Sequence, residues 1–314
     1  MNKAIAVDIG GTKISWALIT DDYAILTRRQ VMTPATTSDI FTALEVIITE
    51  ALASYDDILG AGIGVAGMVD NAAGKIVAAP NLALAGEPLK QHLESKFKLA
   101  FNVDNDANCA VLGELLSGAG RGYRNFIGLT VGTGLGGGIV IDGRLYRGAK
   151  GAAAEFGHMV IDPNGPVCGC GHRGCLETKA SGTAIERLAK ETVVAKTKSA
   201  LSRSVGGDPE IITGPMVAKA ARAGDTEAVT IMTEVGRWLG LGIGNFINIL
   251  DPEVVVVGGG VASSLDLVMD PIIESARRIV IDPRSRDIPI VISQLENSAG
   301  LLGAAGLIFG LEPS

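Results

Sequence analysis

Three cysteines and a histidine occupy eight consecutive positions, CGCGHRGC at 168–175, in a chain with only four cysteines. The spacing C-x-C-x4-C brings Cys168, Cys170 and Cys175 within reach of one tetrahedral metal, and zinc favours such sets of four nitrogen and sulfur ligands. His172 inside the loop qualifies as the fourth ligand. So does His158, ten residues before Cys168, because a loop of that size closes at little entropic cost. The N-terminus, MNKAIAVDIGGTK, carries no apolar stretch ending at a cleavage site, which predicts a cytoplasmic chain whose clustered thiols bind metal and do not pair. Lone Cys109 reads as a small buried apolar residue, and His92 in LKQHLE as a solvated helix position.

Carboxylates form the second group. VDNDAN at 103–108 sets Asp104, Asn105 and Asp106 just before a helix. A carboxylate there either caps the helix or accepts a proton from an alcohol in a group transfer, where alignment matters more than basicity. Asp104 alternates to the other side of the strand end and reads as structural. Glu155 and His158 in GAAAEFGHM are three apart and face the same way on a helical turn, and Glu177 follows the last cysteine of the loop by two.

Glycine forms the third. It supplies 42 of 314 residues, about twice the usual ~7% share, with no collagen period. GTGLGG at 132–137 has the letters of a dinucleotide fingerprint but is followed by GIVIDG, a strand where that motif needs a helix. No Walker loop is present. The bare amides of DIGGTK (8–13) and GTG (132–134) can instead point at an anion as nests do. Asp8 then stands as a possible Mg²⁺ ligand and Lys13 as a possible phosphate partner. A third run, VVVVGGGVA at 254–262, fits a strand, a turn at Gly258, Gly259 and Gly260, and a helix from about Ser263 or Ser264.

The elements that must carry these groups repeat. IAVDIGGTKISWALITD (5–21) and IGLTVGTGLGGGIVIDG (127–143) are alike: a short β-branched run, a glycine turn, a second apolar run. Helical segments follow each. In the first half they are 38–54, opening on Ser38, and 106–118, opening on Asp106. In the second they are 181–191 and 225–250. Two duplicated α/β domains are predicted. Hydrophobic residues at 47% and charged ones at 19% give a globular composition, and the net charge of −7 argues against a nucleic-acid surface. No apolar run reaches membrane-spanning length.

These pieces resemble the ROK family of sugar kinases and sugar-responsive repressors. DIGGTK, VDNDAN, GTGLGGG, EFGHM, CGCGHRGCLE and LDPEVVVVGGG stand in the family's order over nearly the full length. The resemblance implies an actin–hexokinase–Hsp70 type of fold, two ribonuclease-H-like domains with a cleft between them. It divides the chain as 1–117 plus 301–314 and 118–300, the second part carrying the zinc loop. It implies ATP-dependent phosphorylation of a hexose 6-hydroxyl, most readily glucose, in a homodimer or homotetramer. Kinases of N-acetylmannosamine or N-acetylglucosamine are the near alternatives, and polyphosphate is an alternative donor. A repressor would need a preceding DNA-binding domain, for which DIGGTK at residue 8 leaves no room.

The resemblance also assigns residues. Asp106 is the base, and Asn81, Asn105, Glu155, His158 and Glu177 contact the sugar. Asp8, Gly10, Gly11, Thr12, Lys13, Gly132, Thr133 and Gly134 hold the ATP phosphates with Mg²⁺, and Gly258, Gly259 and Gly260 approach the adenosine. His158 joins the three cysteines as the fourth ligand of a structural Zn²⁺. Domain closure excludes water. The stretch NLALAGEPL, beginning at Asn81, departs from the family's Trp-bearing form at the sugar.

Overall fold

The computed structural model describes residues 1–196 and 199–310. In chain order the elements are β1 (Lys3–Ile9), β2 (Lys13–Thr20), β3 (Ile25–Met32), α1 (Thr37–Ser54), β4 (Ile58–Val65), β5 (Met68–Asp70), β6 (Lys75–Ala78), α2 (Leu89–Lys96), β7 (Ala100–Asn105) and α3 (Asp106–Ser117). Then come β8 (Phe126–Val131), β9 (Leu135–Ile141), β10 (Arg144–Leu145), α4 (Gly182–Ala195), α5 (Ala200–Ser204), α6 (Gly214–Arg222), α7 (Thr226–Leu250), β11 (Val254–Gly258), α8 (Met269–Ile279), β12 (Ile290–Ile292) and α9 (Ala299–Phe309).

The described residues form two five-stranded sheets, ordered β3-β2-β1-β4-β7 and β10-β9-β8-β11-β12, and a small β5-β6 pair. Numbered from its own first strand, each five-stranded sheet runs 3-2-1-4-5, so the repeat legible in the two glycine hairpins extends to whole sheets. In the first, β1 pairs antiparallel with β2 and parallel with β4. In the second, β11 pairs parallel with β12.

The chain divides into two compact units. The first comprises Met1–Gly128, Gly138–Ala154 and the residues from Gln294 onward; the second comprises Leu129–Gly137 and Glu155–Ser293. The expected division at 117/118 and 300/301 is simpler than this interleaving, and its last four positions, 311–314, lie outside the described residues.

Within the first unit, β1 is buried on both faces and its side chains differ accordingly. Ile5, Val7 and Ile9 point into a core with Ile40, Leu44 and Ile48 of α1, while Ala4 and Ala6 face Leu301, Ala304 and Ala305 of α9. Small residues are required on that second face because α9 lies against the strand backbone. β4 alternates the same way: Ala61, Ile63 and Val65 enter the large core, and Gly62 turns to α9, where a Cβ would stand 1.7 Å from Ala304 O. Gly303 of α9 in turn meets Cys109 O of α3, at 1.6 Å from its missing Cβ. Cys109 is fully buried there, as expected of an apolar cysteine.

Three local expectations are corrected. Helix α1 opens at Thr37 with Thr36 as its cap, not Ser38: the Thr36 hydroxyl accepts from Asp39 N and donates to the Asp39 carboxylate. After Gly260 the chain forms a 3-10 turn, Ala262–Leu267, and α8 starts only at Met269. His92 is not a solvated position. It stacks on Phe41 at 4.0 Å and bonds Glu45 Oε1 at 2.9 Å, tying α2 to α1.

Candidate functional site

In the first unit the chain leaves β1 through Asp8 and turns at Gly10–Thr12. Gly10 N closes the turn on Lys13 O. Thr33, at the end of β3, pins it from the side: its hydroxyl donates to Gly10 O at 2.6 Å and its amide to Thr12 O at 3.0 Å. Gly11, Thr12 and Lys13 stay exposed. Asn81 lies against the turn, its Cβ 3.2 Å from where a Gly11 Cβ would stand. Burial raises the Asp8 carboxyl above its ordinary range, against the charges of Lys13 and Arg28, which pull it down.

Asp106 is the first residue of α3, but Asn105 is the cap. Asn105 Oδ1 accepts from Ala107 N at 2.9 Å and Asn108 N at 3.0 Å. Its Nδ2 donates to Gly67 O and to Asp106 Oδ1. Every hydrogen-bonding position of Asn105 is thereby engaged. Asp106 Oδ1 also accepts from Ala107 N at 2.9 Å, and no side chain or amide of another described residue bonds its Oδ2. Burial, with the nearby Asp8 charge second, pushes the Asp106 carboxyl up to about 7. A half-engaged carboxylate with its proton affinity near neutrality is suited to general-base work.

Asp104 is buried behind this pair. Its Oδ1 accepts from Asn105 N and Asn108 Nδ2, and its Oδ2 from Arg147 Nε at 2.7 Å. These bonds occupy both carboxylate oxygens, which accords with a structural place for Asp104. Arg147 has no local signal in the sequence and was missed, since its partner lies 43 residues away.

In the second unit the turn after β8, Gly132–Gly134, closes on itself through Gly132 N and Gly134 O. Gly182 N and the Thr183 hydroxyl, at the start of α4, donate to Gly132 O and Thr133 O at 2.7 Å each. The third glycine run stands beside it, with Val261 N bonded to Val131 O and Gly260 N 3.9 Å from the position of a Gly132 Cβ. Gly259 takes a φ of +99°, and a Cβ there would stand 2.6 Å from Val131 N and O, so glycine is needed twice over.

Glu155 precedes a 3-10 turn, Phe156–His158, which sets its carboxylate 4.0 Å from His158 Nε2. His158, Cys168, Cys170 and Cys175 offer four ligand atoms that all lie within 4.8 Å of one another. Zn–S bonds of about 2.3 Å put tetrahedral ligand atoms roughly 3.7 Å apart. Two separations compare directly: Cys168 Sγ to His158 Nδ1 and Cys170 Sγ to Cys175 Sγ, both 3.6 Å. The donor set fits a structural metal. The His172 amide, with His172 Nδ1 at 3.5 Å from Cys170 Sγ second, draws that thiol down to about 6. The loop closes by Cys168 N to His172 O, and its return strand requires Gly174, whose Cβ would overlap Asp162 O at 1.5 Å. Glu177, in the 3-10 turn Leu176–Thr178, accepts from Leu135 N at 2.9 Å through Oε2 and has Oε1 3.7 Å from Cys168 Sγ.

Residues 4–310 match the ROK family; the chain belongs to it. It is 42% identical over 310 residues to a glucokinase of Streptomyces coelicolor, covering 98% of both chains. Among solved structures it resembles a ROK family glucokinase from Streptomyces griseus in complex with glucose and AMPPNP, with a TM-score of 0.87 and 41% identity, over 98% of this chain and 99% of that one. A ROK family transcriptional regulator, homologous to the E. coli MLC protein, superimposes with a TM-score of 0.89 at 27% identity, over 99% of this chain and 79% of the regulator.

Proposed function

We propose that the chain transfers the γ-phosphoryl group of ATP to the 6-hydroxyl of glucose. It is an ATP-dependent hexose kinase, a reading supported by its 42% identity to one glucokinase and its likeness to another solved with glucose and an ATP analogue. The regulator's fold is as close, so fold likeness does not separate the two activities. What favours turnover is Asp106, whose buried carboxyl, raised to about 7, suits it to accept a proton.

In this reading Asp106 Oδ2 accepts the proton of the attacking hydroxyl. Oδ1, held by Ala107 N and Asn105 Nδ2, fixes the carboxylate plane. Because the transition state of phosphoryl transfer is loose, alignment and charge neutralisation supply most of the acceleration. The amides of Gly11 and Thr12, with Lys13, and those of Thr133 and Gly134 would meet the phosphates, Gly10 and Gly132 spending theirs on closing the two turns; the Gly258–Gly260 run would meet the adenosine. Asp8 would hold the Mg²⁺ that neutralises phosphate charge, and the mutual repulsion of Asp8 and Asp106 marks a place where a cation is favourable.

Asn81, Glu155, His158 and Glu177 contact the hexose. Asn105 would reach it only by giving up one of its four bonds, such as that to Gly67 O, so its foremost role here is to orient Asp106. Zn²⁺ held by His158, Cys168, Cys170 and Cys175 would fix this loop and do no chemistry on the substrate. Assembly as a homodimer or homotetramer in the cytoplasm completes the reading.

Asp106→Asn tests it. Glucose and AMPPNP should bind within about threefold of wild type while kcat falls by about a thousandfold or more. A variant retaining more than a few per cent of wild-type kcat would remove Asp106 as the base.

A further inference from the structure

We infer that Glu177 is a positioning residue that fastens the Gly132–Gly134 turn to the metal-ligand loop, so that occupancy of the metal set governs nucleotide affinity as well as the sugar side. The inference rests on the reading of that turn as a phosphate cradle. Three observations carry it. Glu177 Oε2 accepts from Leu135 N at 2.9 Å, the first amide of β9 after the turn. Gly134 is shaped around the same carboxylate: a Cβ at 134 would stand 2.3 Å from Oε2. Glu177 follows Cys175 by two residues in a 3-10 turn whose Leu176 N bonds Met159 O, next to His158. One short stretch therefore carries a metal ligand at one end and the turn's support at the other.

This arrangement limits what Glu177 can do for a sugar. Oε2 already accepts from the Leu135 amide and Oε1 lies 3.7 Å from Cys168 Sγ, so a sugar hydroxyl would share the carboxylate with both. The arrangement also gives the turn a carboxylate acceptor on the strand side, while α4 supplies the donors Gly182 N and Thr183 Oγ1 to its carbonyls. With its carbonyls and its exit amide all engaged, the turn presents a fixed backbone, and preorganisation of that kind raises affinity by removing the ordering cost on binding. Without metal, Cys175 and the 3-10 turn keep the Leu176 N–Met159 O bond and their packing, and the carboxylate is held less firmly.

The test uses the full chain, zinc-loaded and chelator-stripped, titrated calorimetrically with AMPPNP and Mg²⁺ in the absence of sugar. Glu177→Ala should weaken AMPPNP about tenfold. Glu177→Gln, which keeps an acceptor oxygen for Leu135 N, should stay within about threefold. Stripping the metal should weaken wild type about as much as Glu177→Ala does, and should add little to that variant, because the two act through one connection. Hydrogen exchange at the Leu135 amide, followed in nucleotide-free protein, should be slow in wild type and Glu177→Gln and fast in Glu177→Ala and in stripped wild type. Equal AMPPNP affinity in Glu177→Ala and wild type would overturn the inference, as would Leu135 exchange that ignores both changes. Failure of wild type to bind AMPPNP would instead count against the phosphate reading of the turn, and the exchange data would still decide the clamp.

Discussion

At the scale of single residues, the environment of Asp106 sets a pH dependence. A carboxylate accepts the hydroxyl proton only when unprotonated, and burial followed by the Asp8 charge moves its proton affinity up to about 7. The kcat/KM for sugar should therefore rise with pH through one inflection near 7 and level off above it. Asp8→Asn removes the like charge and should shift the inflection down, though not to the ordinary carboxylate range, because burial is the larger cause. A wild-type profile flat between about pH 5 and about pH 8 would contradict this. The carboxylate itself was legible: Asp106 stands in a short motif at a strand-to-helix junction, and chemistry-bearing motifs are local. Its supports were not. Arg147 holds Asp104 across 43 residues and Glu177 meets Leu135 across 42, and nothing in the local pattern of either marks the partner.

At the scale of elements, the central constraint is the close approach of α9 to β4 and α3. β4 reads ILGAGIGV, and its period-two glycines signal that some backbone must come near. What comes near is a helix from the far end of the chain, which no local signal discloses. Gly303→Val would drive side-chain atoms into Cys109 O, where even a Cβ would stand at 1.6 Å. The obstructing atoms, Cys109 O and Gly113 N, are backbone and cannot swing aside, so the cost should be about 3 kcal/mol or more, measured by denaturant unfolding of the full chain. Unfolding that matches wild type within ~0.5 kcal/mol would show that the helices part easily. Cap assignment was misread at α1 for a related reason: Thr36 and Ser38 are both competent caps, and only the reciprocal bonds with Asp39 choose Thr36. His92 was misread because the ring of Phe41 and the carboxylate of Glu45 reach it from another helix.

At the scale of the whole chain, two sheets with one strand order, two glycine hairpins and a single cysteine-rich loop describe a duplicated α/β scaffold with one added metal-ligand set. The duplication was readable in the hairpins because their composition is constrained by the turn. The matching sheet order became visible only with the strand pairings. Among the described residues no helix is long and apolar enough to cross a membrane. Likeness to a glucokinase and to a transcriptional regulator at nearly equal TM-scores makes turnover, and not binding, the decisive property. The most direct measurement is a coupled ADP-release assay with ATP and Mg²⁺ over glucose, mannose, fructose, N-acetylglucosamine and N-acetylmannosamine, with Asp106→Asn as background. The account predicts the highest kcat/KM on glucose, far above that background. No ADP release above the Asp106→Asn level with any of these sugars would contradict it.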